Sequence, residues 1–147
     1  MVSRMATSLK IPLIGVGAVA VLAMVSVYGL FHGYFDHGQF EIKQFQRSPA
    51  NEVAIVAERS DHEALGGLEY FVLIGNRLLT PAELRHAYYS NAVVFNASSE
   101  DCLKLHWASP NRLVIRCDGS TLDRDHINTQ KQQSGNIAIS YENIALK

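Results

Sequence analysis

The residues of this chain whose types could do chemistry cluster in two short polar runs. Asp61-His62-Glu63 and Asp123-Arg124-Asp125-His126 set carboxylates beside imidazoles, the ligand types that Zn²⁺ accepts. His62, Glu63, Asp123, Asp125 and His126 are therefore the candidate metal ligands. Their spacing is not diagnostic: there is no HExxH, no paired CxxC and no EF-hand loop. Polar loops gather such residues simply to stay solvated. Nucleophilic catalysis needs an activated Ser or Cys with a base and an orienting group. Ser98-Ser99-Glu100-Asp101 reads instead as a turn, and no G-x-S-x-G elbow occurs. A phosphate cradle is missing too, since Gly15-Val16-Gly17 lies inside an apolar run. No catalytic residue and no cofactor is assigned.

The two cysteines, Cys102 and Cys117, are a candidate disulfide. They flank an expected hairpin, Leu103–Trp107 and Leu113–Cys117, whose turn holds Ser109-Pro110-Asn111. Counting outward from a four-residue turn puts Cys102 directly across from Cys117. The apolar alternation makes a different demand: Leu103, Leu105 and Trp107 belong on one face, together with Leu113, Ile115 and Cys117. A one-residue shift of register reverses every side chain. Both demands are met only if a β-bulge lies between the cysteines and the turn.

The elements that would position these residues divide sharply. Residues 11–31 are almost wholly apolar, and no charge occurs from Ile11 to Phe35. As a helix they would rise about 31 Å, which matches a bilayer's hydrocarbon core. No A-x-A cleavage site follows them. The expectation is an uncleaved, single-pass transmembrane helix after a cytoplasmic tail of residues 1–10. Arg4 and Lys10 before it, against Lys43 soon after it, favour the N-terminus inside a bacterial inner membrane. The rest of the chain would then be periplasmic or extracellular. Gly29-x-x-x-Gly33 fits small-residue helix packing and suggests a weak homodimer through the anchor.

Beyond it, residues 32–48 read as a stalk or first strand, with Phe40, Ile42 and Phe45 turned one way, and residues 49–147 as a β-rich domain. Six short runs have strand character: Val53–Ala57, Leu68–Ile74, Ala92–Phe95, Cys102–Trp107, Leu113–Cys117 and Ile137–Tyr141. Thr80-Pro81-Ala82-Glu83 is a helix start, with a capping hydroxyl, Pro at the first helical position and Glu three residues after the cap. That helix should run to Tyr88 or Tyr89 and turn Leu84, Ala87 and Tyr88 to the core. Residues 118–135 read as an exposed loop. The fold class expected is an N-terminal transmembrane helix followed by a small α+β, mainly antiparallel β domain with one short helix.

Composition excludes some functions. With 48% hydrophobic residues, 10 Gly and 4 Pro, the chain is neither disordered nor collagen-like. Thirteen Lys and Arg against fourteen Asp and Glu leave no positive excess for nucleic acid. Tyr70, Trp107 and Tyr141 could serve as interface residues, because aromatic side chains anchor many interfaces.

Ser48-Pro49 leading into Val53–Arg59, followed later by Trp107-Ala-Ser109-Pro-Asn111-Arg-Leu113-Val-Ile115, resembles small single-helix membrane-anchored bacterial proteins of unknown function that carry a W-x-S-x-N-x-L-x-I hairpin. The resemblance implies a compact β domain and no assigned activity. The functional expectation is binding to a protein partner, as an envelope-assembly accessory subunit or an immunity or inhibitor-like protein. The alternative is a small envelope hydrolase or metal-dependent enzyme using the 61–63 and 123–126 loops.

Overall fold

The computed structural model describes residues 10–31, 37–61, 67–97, 103–117 and 129–144. The chain divides into two units, residues 1–36 and residues 37–147. The first contains helix α1 (Lys10–Phe31), apolar on all sides. The expected transmembrane helix is not supported, because among the described residues no helix is long and apolar enough to cross a membrane. Side chains of α1 are described for residues 15–29. Gly33 lies outside the described residues, so the expected Gly29–Gly33 packing motif is not described either.

The second unit carries the β-rich fold as two four-stranded sheets. The first has the order β1 (Gln39–Arg47), β2 (Val53–Ser60), β3 (Leu68–Gly75), β4 (Phe95–Ala97), antiparallel throughout. Helix α2 (Pro81–Tyr89) lies between β3 and β4 in the chain. The second sheet contains β5 (Leu103–Ser109), β6 (Arg112–Cys117), β7 (Gln133–Ser134) and β8 (Ile137–Glu142), in the order β5-β6-β8-β7. The β6–β8 pairing is parallel, which the expected antiparallel arrangement did not include. Strand β7 falls within the stretch expected to be loop, and β4 starts three residues later than expected.

Three layers explain the burial. Val53–Ala57 is wholly buried because β2 is covered on both faces, which is why this run reads as continuous rather than alternating hydrophobicity. Ala54, Val56, Tyr70 and Val72 meet Leu105, Leu113, Ile115 and Ile139 of the second sheet in one core. Val53, Ile55, Ala57, Phe71 and Leu73 form the other core, against Leu84 of α2 and Phe40 of β1. At the sheet edges, the Gln44 Nε2 amide donates to Leu103 O at 3.0 Å and the Trp107 indole donates to Gln46 O at 3.2 Å. On the opposite edge Lys131 N–H donates to Val94 O, and Phe95 bridges to Gln130. Both open edges are therefore partly closed, which limits strand-to-strand aggregation.

Two bulges align side chains with these cores. In β1 the register shifts at Lys43, so Phe40, Ile42 and Phe45 share the α2 face although plain alternation would separate Ile42 from Phe45. In β5 the shift falls at Ala108, so Trp107 pairs with Leu113 and Leu103 with Cys117. That satisfies the apolar alternation and corrects the count that set Cys102 directly across from Cys117, since Leu103 holds that place.

Candidate functional site

Helix α2 sets one wall of the site, and its start is firmly built. The Thr80 hydroxyl accepts from Glu83 N–H, and the Glu83 carboxylate accepts from Thr80 N–H at 2.8 Å, a capping box with Pro81 beside it. Arg77 pairs with the same carboxylate. These partners, the Arg77 guanidinium first, hold the Glu83 carboxyl down to about 2. The helix stops at Ser90, and Asn91 takes the left-handed φ of 59°. Ala92 N–H then reaches back to Ala87 O, the bond of a Schellman stop.

The opposite wall is the first residues of β1. Arg85 crosses between the walls: its Nη2 donates to Gly38 O at 3.0 Å and its guanidinium carbon lies 5.6 Å from the Phe40 ring centroid. Phe40 is fixed in turn by edge-on contacts to Phe71 at 6.1 Å and Tyr88 at 5.6 Å. Between the walls lies an open cleft of about 510 Å³, lined by Gly38, Gln39, Phe40, Pro81, Ala82 and Arg85. Arg85 is the one charged residue of that lining. Among the described residues no carboxylate is ion-paired with it.

Beside the cleft, under α2, a carboxylate is held by neutral donors. Glu69 accepts from the Tyr88 hydroxyl at 2.5 Å and from the Asn96 amide. Burial, then the bond to Glu69, pushes the Tyr88 phenol well above the ordinary tyrosine range. Asn96 is buried, and its Oδ1 has no hydrogen-bond partner. At the rim of the sheet Lys43 bonds Glu41 and Glu58, each at 3.1 Å, and these bonds raise its pKa.

The candidate metal ligands His62, Glu63, Asp123, Asp125 and His126 all lie outside the described residues. Asp61, next to them, sits 3.6 Å from Arg59. Among the described residues no group of three His, Cys, Asp or Glu could hold a metal ion. Cys117 is buried and disulfide-bonded; the chain's other cysteine, Cys102, is outside the described residues.

The candidate interface aromatics point inward. Tyr70 is 8% exposed in the core between the sheets, so it cannot meet a partner without unfolding that core. Trp107 packs against the same core and spends its N–H on Gln46 O. Tyr141 packs there too, 5.7 Å from the Phe95 ring, and donates to Lys131 O at 2.6 Å. Burial pushes its phenol up to about 12. Of the three, only Tyr70 is withdrawn from the surface, and Trp107 and Tyr141 keep part of theirs. Sequence reasoning missed the α2–β1 cleft, because it joins residues 47 positions apart. The signal available was Phe40, whose alternation already turned it toward a covering element.

No family model, no curated protein and no solved structure matches this chain.

Proposed function

We propose that the β domain acts by binding a protein partner through the α2–β1 cleft, in an oxidising compartment outside the cytosol. One observation carries the reading: Arg85 is pinned over Phe40 and bonded to Gly38 O, at the wall of an open cleft. Arginine and aromatic residues are enriched at interfaces, and an arginine already held in place loses less freedom when a partner arrives. Leu78, on the loop entering α2, leaves 37% of its surface exposed. The oxidising location is supported by the disulfide at Cys117, a bond rare in reducing cytosol. We read Cys102 as its partner. An accessory or inhibitor-like role suits such a domain.

The test is site-specific photocrosslinking of the full chain in its native cell. A photoreactive residue replacing Ala82 should capture one dominant protein, and the same residue replacing exposed His106 should not. Equal capture at both positions, or none at Ala82, would sink the reading.

A further inference from the structure

We infer that the cleft recognises an acidic side chain, Asp or Glu, presented by the partner beside an apolar residue. This rests on the partner-binding reading and names its chemistry. A guanidinium carries five N–H donors in a planar fork. Arg85 commits one of them to Gly38 O, its guanidinium lies over the ring of Phe40, and the side chain lines the cleft. Among the described residues no carboxylate neutralises it. Of the other lining residues, Pro81 and Ala82 offer exposed apolar surface and Gln39 an amide, and none brings a second charge.

The helix N-terminus is not the recognising group, because Glu83 already occupies the cap. The charge comes from Arg85 alone. A carboxylate fits it best: two parallel N–H···O bonds are the pairing that gives arginine its preference for planar anions. An apolar neighbour of that carboxylate would lie on exposed Pro81 and Ala82. A partner's terminal carboxylate has the same charge but no chain continuing beyond it, so an open cleft gives it fewer contacts.

The probe is a pair of capped tripeptides, acetyl-Leu-Glu-Leu-amide and acetyl-Leu-Gln-Leu-amide, titrated into the ¹⁵N-labelled full chain. The Glu peptide should shift the amide signals of Gln39, Ala82 and Arg85 saturably, with Kd on the order of 1–10 mM for so small a ligand. The Gln peptide should bind about tenfold more weakly, as loss of a charge-assisted pair requires. Arg85→Met should equalise the two peptides. Arg85→Lys should keep part of the preference, since it retains charge and loses the fork.

A purely structural Arg85 would change amide shifts and stability on mutation without changing the ratio between peptides. Equal binding of the two peptides overturns the inference, as does tighter binding of acetyl-leucine free acid than of the Glu peptide. Failure of saturable binding by the Glu peptide overturns it as well. The photocrosslinking at Ala82 is independent: an adduct there that survives Arg85→Lys and Arg85→Met alike would leave partner binding standing and remove the carboxylate.

Discussion

Leu103 stands directly opposite Cys117 across the β5–β6 ladder, because Ala108 is extra to the pairing between Trp107 and Ser109. The turn therefore closes with Ser109 opposite Arg112 over two residues, and the bulge takes up the difference. Deleting Ala108 should leave the Trp107–Leu113 register intact and cost less than about 1 kcal/mol, within the range of mild substitutions. Inserting a residue after His106 instead should rotate buried Leu103 and Leu105 to the outside. Each such side chain is worth about 1.5–3 kcal/mol, so urea denaturation should show a loss of several kcal/mol. A tolerated insertion would contradict the register.

The α2 cap makes an acid-side prediction. Glu83 has a folded value of about 2 against an ordinary 4.5, so its contribution is present above about pH 4.5 and is lost as pH falls through 2. Melting temperature followed from pH 6 to 2 should drop more steeply in wild type than in Glu83→Gln. Thr80→Ala removes the reciprocal bond and should cost about 1 kcal/mol at neutral pH.

On the alkaline side, Tyr141 is raised to about 12 and Tyr88 is raised further. A phenol raised by folding stabilises the fold below its unfolded value, near 10, and that contribution is lost as pH rises through the folded value. Ultraviolet titration near 295 nm should show two tyrosines ionising late, in step with loss of near-ultraviolet dichroism. Tyr88→Phe and Asn96→Ala each remove a donor to Glu69 and should each cost about 1–3 kcal/mol. Their double mutant should deviate from the sum, because both act on one carboxylate.

A thiol assay of the folded chain without reductant should find no free cysteine. Reduction, or Cys117→Ser, should lower stability by about 3 kcal/mol, the loop-closure value for about fifteen residues. Two reactive thiols in protein prepared under oxidising conditions would argue against the Cys102 pairing and against the proposed compartment.

Much of the fold is legible locally. The Thr80 cap, the Leu84 face, the Val53–Ala57 run and the need for a bulge in the β5–β6 hairpin all follow from spacing. What escapes is non-local. Val93 and Val94 face opposite cores as strand residues do, yet the ladder with β3 is in register only from Phe95. No periodicity shows that Leu113 will pair with Ile139 in parallel, or that the strands will split into two sheets. The cleft hides for the same non-local reason: Arg85 reads as an ordinary exposed helical residue until β1 is laid beside it.

The parallel placement of β8 beside β6 has a consequence for how the chain is made. Ile137, Ile139 and Ile144 are buried contributors to the inter-sheet core, and they are synthesised after strands β1 to β7. A ribosome-bound chain halted before residue 137 would leave β6 with an unzipped flank and the sandwich with a seam of bare aliphatic surface. Closure of the sandwich must therefore wait for β8, and truncations before residue 137 should yield protease-sensitive, aggregation-prone material rather than a smaller folded domain.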